Sequence, residues 1–254
     1  MKMGRVLVTG ARRGIGKAIA LELAKAKFAV AVADLEAGAE LEAVASEIRD
    51  MGQIATVLQA DISELSSHER ILDEAQAKLG PLTTLINNEG VSVLSRGDLL
   101  DVSPDSFDGC MSLNARGKFF LTQTFARRLR ATKTVFHRSI VTITSANALG
   151  VSIARGEYCM SKSAVSMMSK LFAVRLSNEE SGVYEIQPGF IGTDMTAPSK
   201  AKYDTLIEGG LTIIKRFSTP QEVARIATTL ASGPLPYTTG QAIAADGGLL
   251  TVRY

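Results

Sequence analysis

The first sixteen residues constrain the fold of this chain more than any other segment. A short run with the composition of a buried strand, residues 5–9, leads directly into a loop that carries Gly10, Gly14 and Gly16. Apolar residues then recur at helical spacing over residues 15–26. Glycines at such a turn allow positive φ and close approach of the backbone, and the helix N-terminus presents unpaired amides to a phosphate. This succession of strand, glycine loop and helix predicts a pyrophosphate site at the start of a parallel sheet.

The second strand supports that interpretation. An apolar run over residues 28–33 ends at Asp34, eighteen residues after Gly16. In dinucleotide-binding folds an acid near this position accepts hydrogen bonds from the adenosine ribose. The glycine spacing is Gly-x-x-x-Gly-x-Gly, not the commoner Gly-x-Gly-x-x-Gly, and a glycine cluster alone is more often an ordinary turn. The flanking strands and the downstream acid therefore carry the prediction of a dinucleotide site.

Strand-like and helix-like runs alternate along the whole chain, which is the pattern of a parallel sheet connected by right-handed crossovers. Strands are predicted at 5–9, 28–33, 54–60, 82–87, 138–144, 183–187 and 241–245, and helices at 15–26, 36–51, 65–79, 105–131, 158–178 and 220–232. The expected fold class is α/β: a single-domain, Rossmann-type, doubly wound parallel sheet of about seven strands with helices on both faces. Residues 188–218 follow a strand and show no clear period, so we expect a lid over the substrate site.

Four polar residues fall where carbonyl or alcohol chemistry on such a fold would need them. Tyr158 and Lys162 are four residues apart in a predicted helix, so they share one face, and the lysine charge would favour the phenolate. Ser145 closes the strand before them, and Asn114 interrupts a long helical pattern. Each residue alone is commonly structural, because half-buried tyrosines, polar strand ends and helix interruptions occur in many chains. Together they predict a redox site.

These residues belong to a longer collinear series of motifs. The series comprises the glycine segment Thr9–Gly16, Asp61-Ile62, Asn87-Asn88-Glu89-Gly90, Asn114, Ser145, Tyr158, Lys162, Pro188-Gly189, Thr239-Gly240-Gln241 and Asp246-Gly247-Gly248. In this series the chain resembles the classical short-chain dehydrogenase/reductase family over nearly its whole length. The clear departure is Glu89, because the family usually carries alanine between Asn88 and Gly90. Its carboxylate would either face solvent or crowd the edge of the cofactor.

The resemblance implies a role for each of the four candidates. Tyr158 would be the general acid or base, and Lys162 would lower its pKa and bind the nicotinamide ribose. Ser145 would hold the substrate oxygen, and Asn114 would bend its helix and anchor a water that relays protons to the lysine. The residues implied to bind the cofactor are Gly10, Arg12, Arg13, Gly14, Ile15, Gly16, Asp34, Asp61, Ile62, Asn88, Gly90, Tyr158, Lys162, Pro188, Gly189, Ile191 and Thr193.

Two opposing signals bear on the choice between NAD and NADP. Arg13 resembles the basic residue that many NADP-dependent relatives place against the 2′-phosphate, and Arg12 adds charge beside it. Asp34 would instead pair with the free ribose hydroxyls of NAD and repel a phosphate, and Leu35 and Glu36 after it supply no cation. Exposed ion pairs contribute only about 0–1 kcal/mol, so we expect NAD to be favoured over NADP.

Composition argues against several other classes of protein. The formal net charge of +2, with acids and bases intermixed, gives no electrostatic footprint for nucleic acid, and Cys110 and Cys159 predict neither a disulfide framework nor a metal site. No apolar run approaches the length of a bilayer span, and eight residues before Thr9 are too few for a signal peptide. A serine hydrolase would need a histidine and an acid in register, which His68 and His137 do not supply. We therefore expect a cytoplasmic protein without nucleic-acid, membrane or metal partners.

The substrate is less constrained than the reaction. The chain looks most like bacterial 3-oxoacyl-acyl-carrier-protein reductases, and an acidic carrier would need exposed basic residues such as Arg127, Arg128, Arg130 and Arg175. The acidic segment 178–180 weakens that interpretation. A small-alcohol, sugar or polyol dehydrogenase is weighted about equally with an enzyme that reduces acyl thioesters. A dinucleotide-binding sensor or scaffold is the non-enzymatic alternative.

The resemblance also implies a homotetramer, with the helices that carry Asn114 and Tyr158 in one interface and the C-terminal strand and tail in the other. The helix of Asn114 carries more apolar side chains than one core-facing stripe needs. These side chains are Leu113, Phe119, Phe120, Phe125 and Leu129. A wide stripe that packs within one subunit is the alternative.

Overall fold

The computed structural model describes residues 4–253 of the chain, and its centre is one seven-stranded sheet. The strands are β1 Arg5–Thr9, β2 Ala29–Asp34, β3 Ala55–Gln59, β4 Thr84–Asn87, β5 Arg138–Ile143, β6 Ser181–Pro188 and β7 Ala242–Ala245. All neighbouring strands pair in parallel, in the order β3-β2-β1-β4-β5-β6-β7. The predicted α/β class is confirmed, and every predicted strand end lies within two residues of the observed one.

Helices connect the strands and cover both faces of the sheet. They are α1 Gly14–Lys25, α2 Ala39–Asp50, α3 His68–Leu79, α4 Pro104–Cys110, α5 Lys118–Ala131, α6 Gly156–Arg175, α7 Lys200–Glu208 and α8 Pro220–Ser232, and a π-helical segment, Met111–Gly117, joins α4 to α5. The predicted helix at 105–131 is therefore one continuous path with a π-helical middle. Within residues 4–253, no helix has both the length and the apolar content required to traverse a bilayer.

Alternation along each strand separates the core into two halves. Val6 and Val8 of β1 pack into the half covered by α1, α2 and α8, whereas Leu7 packs into the half covered by α3, α5 and α6. All three side chains are fully buried. Complete burial of such a side chain is worth about 1.5–3 kcal/mol, so the two halves together hold the sheet rigidly between its helices.

Helix α8 shows why several bounds were readable from the sequence. Thr219 and Glu222 form a reciprocal capping box around Pro220 at the first turn, and Gly233 ends the helix at φ +81°. Proline at the start and a left-handed glycine at the end are the strongest local helix signals. The segment expected to be an irregular lid, 188–218, nevertheless contains α7, whose N-cap Ser199 makes no side-chain cap and whose C-cap Gly209 is not left-handed. The expectation of an irregular segment was wrong for those nine residues.

The strand order places the functional edge of the sheet. β1 lies between β2 and β4 in the sheet. The chain runs from β1 through β2 to β3 in one direction, and then returns to the other side of β1 to form β4. Helices leave such a reversal on opposite faces, which opens a crevice beyond the carboxyl ends of the strands. The loops after β1, β4, β5 and β6 meet at that edge.

Candidate active site

The glycine loop after β1 is shaped by contacts that no side chain would allow. Gly10 has φ +64° and Gly14 has φ +56°. A Cβ on Gly16 would lie 1.9 Å from the carbonyl oxygen of Gly10, and a Cβ on Gly10 would lie 2.8 Å from Cα of Glu89. Arg13, at the N-cap of α1, makes no side-chain cap, and no acid lies in the first turn. The first amides of α1 are thus available to an anion, so the loop fits a dinucleotide pyrophosphate.

Asn88 ties this loop to the end of β4. Its Nδ2 donates to the carbonyl oxygens of Thr9 at 3.0 Å and Gly10 at 2.9 Å, while its backbone amide donates to Oγ1 of Thr9 at 3.2 Å. The predicted cofactor residues Ile15 and Gly16 lie on the helix that this loop begins. Asn88 therefore positions the cofactor loop by holding its backbone.

The carboxylate at the end of β2 is already paired. The amide of Arg12 donates to Oδ2 of Asp34 at 3.2 Å, and Nε of Arg12 lies 3.5 Å from Oδ1 of the same carboxylate. The other end of the guanidinium contacts Glu36 at 2.6 Å and Glu40 at 3.5 Å. From the sequence, Arg12 and Asp34 were opposing signals for the cofactor, and no cation was expected to offset the acid. The structure corrects this expectation, because Arg12 and Asp34 form an ion pair. Arg13 instead has a 64% exposed side chain near Asp194.

Glu89 turns its carboxyl inward. Its Oε2 is buried and has no hydrogen-bond partner among residues 4–253. Burial, followed by the charge of Asp34 and to a smaller extent that of Asp61, raises the pKa of Glu89 to about 8, although Lys118 acts in the opposite direction. Of the two expectations for this departure from the family pattern, the solvent-facing one is wrong. The carboxyl is largely protonated at neutral pH, and the charged groups that act on it are Asp34, Lys118 and Asp61.

Asn114, in the π-helical segment, forms hydrogen bonds with the loop after β4 and with α6. Its Oδ1 accepts from the amide of Val91 at 2.9 Å, and its Nδ2 donates to the Val91 carbonyl at 3.0 Å and to Oγ of Ser161 at 3.0 Å. The side chain is fully buried. The predicted interruption of the helix is a π-helix, a form that recurs at functional sites because it redirects a side chain. Asn114 thereby connects the loop after β4 with α6.

Tyr158 and Lys162 lie one turn apart on α6, as predicted. The Nζ of Lys162 is 5.3 Å from the centre of the Tyr158 ring, and both side chains are buried. Gly90 packs against this group, since a Cβ there would lie 2.9 Å from Oδ1 of Asn114 and 3.3 Å from Nζ of Lys162. The structure thus brings Gly90, Asn114, Tyr158 and Lys162 together around one small space.

Ser145 follows β5 on the loop that leads to α6. Its hydroxyl accepts from the amide of Asn147 at 3.1 Å, and Asn147 Oδ1 in turn accepts from Arg155 Nη2 at 2.7 Å. The guanidinium carbon of Arg155 is 5.4 Å from the centre of the Tyr158 ring. Sequence reasoning did not identify Arg155, and its only signal was a cation three residues before the tyrosine.

Lys118 is a second residue that the sequence did not reveal. It lies four residues after Asn114, is fully buried, and donates from Nζ to the carbonyl oxygen of Ile143 at 3.2 Å. Burial first, and then the charge of Lys162, holds the pKa of Lys118 well below its ordinary value. The sequence signal was a lone lysine before two phenylalanines.

The remaining predicted cofactor residues border the same edge. Pro188 ends β6, a Cβ on Gly189 would lie 2.8 Å from Cα of Asp246, and Ile191 is buried. Thr193 reaches the glycine loop, because its Cγ2 would be 3.4 Å from a Cβ on Gly14. Two further predicted cofactor residues follow β3 and make local hydrogen bonds there. They are Asp61, whose Oδ1 accepts from the amide of Ser63 at 2.8 Å, and Ile62, whose carbonyl accepts from His68 Nε2 at 2.8 Å.

The basic residues considered for a carrier protein do not lie at this site. Arg128 contacts Glu69 and Asp73, and Arg130 contacts Glu179. Arg128 follows Lys118 by ten residues along α5, a distance of about 15 Å at the rise of an α-helix. Arg128 and Arg130 are therefore paired with acids away from the site, and the part of the four arginines in binding an acidic carrier stays a prediction.

Comparison with known proteins places this geometry in context. A family model described as Enoyl-(Acyl carrier protein) reductase matches residues 10–250. A short chain dehydrogenase/reductase, AacuN, from Aspergillus aculeatus is 32% identical over 95% of this chain and 94% of its own. A 3-oxoacyl-[acyl-carrier protein] reductase from Brucella melitensis, solved in complex with NAD, is 39% identical over the full length of both chains, with a TM-score of 0.96. A chain from Agrobacterium tumefaciens described as a 2-deoxy-D-gluconate 3-dehydrogenase, with bound NADP, is 28% identical over 99% of this chain and 98% of its own, with a TM-score of 0.87.

Proposed function

Because the chain belongs to the short-chain dehydrogenase/reductase family and is an oxidoreductase of that family, we propose that it interconverts a ketone and a secondary alcohol, with Tyr158 as general acid and base. The observation that supports this most directly is the buried pair of Tyr158 and Lys162 on one face of α6, packed against Asn114 and Gly90. A phenol beside an ammonium group is suited to proton transfer, because the positive charge stabilises the phenolate.

The residues present fit a nicotinamide dinucleotide. The glycine loop offers free amides at the start of α1, and the orphaned Oε2 of Glu89 is a buried polar atom for which a ligand group would be a partner. When bound, the cofactor would supply or accept the hydride. Asp34 and its neighbours would hold the adenosine end, and Lys162 would hold the nicotinamide ribose.

The chain's own residues perform the proton chemistry. When a carbonyl is reduced, the Tyr158 hydroxyl gives its proton to the substrate oxygen, and the charge of Lys162 stabilises the phenolate that remains. In the opposite direction the phenolate removes the alcohol proton. Ser145 donates its hydroxyl to the substrate oxygen and keeps it in line with the tyrosine. Asn114 anchors the lysine side of the site through Ser161.

NAD is the cofactor that the adenosine end favours within this proposal. A 2′-phosphate would meet Asp34, Glu36 and Glu40, and these carboxylates already occupy Arg12, the nearest guanidinium. Replacement Asp34→Ala removes the acid at the end of β2 and leaves Arg12 with one carboxylate fewer, so the ratio of kcat/KM for NADPH to that for NADH should rise by about tenfold or more. Steady-state kinetics with both cofactors measure this ratio.

A matched control keeps that experiment specific. Asp50→Ala removes an exposed acid at the end of α2 and should leave the ratio unchanged. If the unsubstituted protein uses NADPH with a higher kcat/KM than NADH, the preference for NAD is wrong.

Three further features belong to the proposal. Segment 188–218, with α7 inside it, acts as the substrate lid, supported by its position after β6 and by the contact of Thr193 with the glycine loop. A homotetramer is supported by apolar side chains on the surface of α6. A cytoplasmic location is supported by two cysteines with no partner spacing for a disulfide.

The sensor alternative predicts different behaviour. A panel of ketones, alcohols, 3-oxoacyl thioesters, sugars and polyols is incubated with NAD(H) or NADP(H), and absorbance of the reduced nicotinamide is followed. Turnover that Tyr158→Phe abolishes would support the enzyme. Dinucleotide binding without turnover across the panel would support a sensor.

A further inference from the structure

Arg155 lies between the two residues that should touch the substrate. One of its nitrogens, Nη2, donates to Asn147 Oδ1 at 2.7 Å, and the amide of Asn147 donates to the Ser145 hydroxyl at 3.1 Å. Its guanidinium carbon is 5.4 Å from the centre of the Tyr158 ring. Arg155 thus lies against the Tyr158 ring and is linked to Ser145 through Asn147.

The charge of Arg155 is not matched within the described part of the chain. Its Nε is buried without a hydrogen-bond partner, and no carboxylate of residues 4–253 lies within 4.0 Å of the guanidinium. Arg12, Arg128 and Arg216 differ, because each contacts one or more acids. A partly buried cation without a counter-ion is costly unless a ligand supplies the charge.

The neighbouring charges strengthen this reading of the site. Lys162 approaches the same tyrosine ring, at 5.3 Å, so two cations lie against the phenol. Glu157 is the adjacent acid on α6, but its buried Oε1 accepts from Ser106 Oγ at 2.6 Å. The two side-chain charges in contact with the Tyr158 ring are therefore both positive.

We propose that Arg155 binds a carboxylate of the substrate, so that the enzyme acts on keto acids and hydroxy acids, including sugar acids. This inference rests on the proposed function and names a substrate class for it. Neutral polyols carry no group for the guanidinium, and a 3-oxoacyl thioester has replaced its carboxylate by the thioester. Arginine suits this role, since its fork of donors matches the two oxygens of a carboxylate.

Matched substrates test the charge requirement. Hydroxy acids of four to six carbons, including D-gluconate, are compared with their primary amides, with D-glucitol, and with N-acetylcysteamine thioesters of 3-oxo acids. We expect kcat/KM for the preferred acid to exceed that for its amide by at least about tenfold, the scale of one charge-assisted hydrogen bond. Equal turnover of acid and amide, or a preference for the thioesters, would overturn the proposal.

Variants at one position separate substrate binding from a structural role. Arg155→Met keeps the aliphatic stem over the tyrosine ring and should lower kcat/KM for the acid by about ten- to a hundredfold while changing that for the amide less than threefold. Arg155→Lys should recover part of the loss. The exposed Arg225→Met is the control and should behave as the unsubstituted protein. A parallel loss on acid and amide, with a shifted pH profile, would show that Arg155 positions Tyr158, and the proposal would be wrong.

Binding provides a second measurement that does not need turnover. Calorimetry with the Tyr158→Phe protein and NADH should detect the preferred acid and not its amide, and Arg155→Met in that background should abolish the difference. If the panel shows no turnover yet this selective binding remains, the oxidoreductase function fails while the carboxylate site stands. Absence of selective binding refutes the site itself.

Discussion

Tyr158 is the residue on which the proposed chemistry depends most directly. Replacement by Phe removes the transferable proton and keeps the ring that packs near Lys162 and Arg155. Turnover should fall by about 10²- to 10⁴-fold, the usual contribution of a general acid. Cofactor binding and the unfolding midpoint should change little, because the phenol contributes its proton and not its volume. Steady-state kinetics, cofactor titration and denaturant unfolding provide the comparison, and activity within tenfold of the unsubstituted protein would reject the role.

Glu89 gives a pH dependence of stability whose sign follows from its raised pKa. In the unfolded chain the pKa of the carboxyl is near the ordinary glutamate value of 4.5, whereas in the folded protein burial raises it to about 8. The unfolded state therefore binds fewer protons between these values, and stability falls as pH rises from 5 to 8. Glu89→Gln lacks this ionisation, so its free energy of unfolding, relative to that of the unsubstituted protein, should rise by on the order of 1–3 kcal/mol between pH 5 and pH 8.

Urea unfolding of the cofactor-free protein at pH 5, 6, 7 and 8 measures this difference. The exposed Glu208→Gln serves as the control and should parallel the unsubstituted protein. If the curves for Glu89→Gln and the unsubstituted protein also run in parallel, Glu89 ionises as an ordinary carboxyl and its assignment as a buried acid is wrong.

Individual residues were predictable where a motif fixes their spacing. Tyr158 and Lys162 were placed together by helical periodicity alone, and Asn114 by the break that it makes in such a pattern. Lys118 and Arg155 belong to no motif, and their significance depends on what lies opposite them. The first is buried only because α5 packs beside β5, and the second lies against the Tyr158 ring and reaches Ser145 only through Asn147.

The π-helical segment Met111–Gly117 is the element that joins the two sides of the site. Asn114 makes three hydrogen bonds from it, to both backbone groups of Val91 and to Ser161. Asn114→Ala removes all three hydrogen bonds and leaves a cavity at a fully buried position, so the free energy of unfolding should fall by about 2 kcal/mol or more, and turnover should fall with it. The exposed Asn178→Ala is a matched control. Denaturant unfolding and kinetics test both effects, and an unchanged stability would show that α6 and the loop after β4 are held independently.

Elements were predictable where local signals agree with packing, and α7 shows the opposite case. Lys200–Glu208 buries only Ile207, so it presents no apolar stripe for a pattern to detect. Ring contacts of Phe190 with Tyr203 at 4.5 Å and with Phe217 at 5.9 Å pack this helix against the segments around it. These contacts join residues that are far apart in sequence, which periodicity cannot reveal.

At the scale of the whole molecule, the doubly wound arrangement follows from general rules of strand connection. The oligomeric state depends instead on which side chains lie on the surface. Parallel strands with crossover helices have few permitted arrangements, so the doubly wound sheet follows from alternation. The apolar residues noted on the Asn114 helix divide between two environments, and their part in an interface stays a prediction. Phe125 and Leu129 are buried in the core of the subunit, whereas Leu113, Phe119 and Phe120 are half-buried.

Exposed apolar side chains also lie along α6, the helix that carries Tyr158 and that was predicted to share this interface. Met160, Met167, Leu171 and Val174 are each more than half exposed, and their spacing puts them on one side of the helix. Beside them, Met111, Phe119 and Phe120 line a groove with Ala164 of α6. A continuous apolar surface of this kind on a helix is typical of a subunit interface, in which a two-fold axis would place α6 against its copy.

Light scattering at micromolar concentration should therefore give four times the 27.0 kDa mass of the chain. The double replacement of Leu171 and Val174 by Glu puts four like charges at a two-fold contact, so it should halve that mass if the second interface, through β7 and the C-terminal tail, persists. Val135→Glu places the same charge at a side chain that is 97% exposed on another surface and should leave the mass unchanged. A monomeric mass for the unsubstituted protein, or a tetramer that survives the double replacement, would exclude α6 as the interface, because desolvated like charges in contact cost more than the apolar burial that they replace could return.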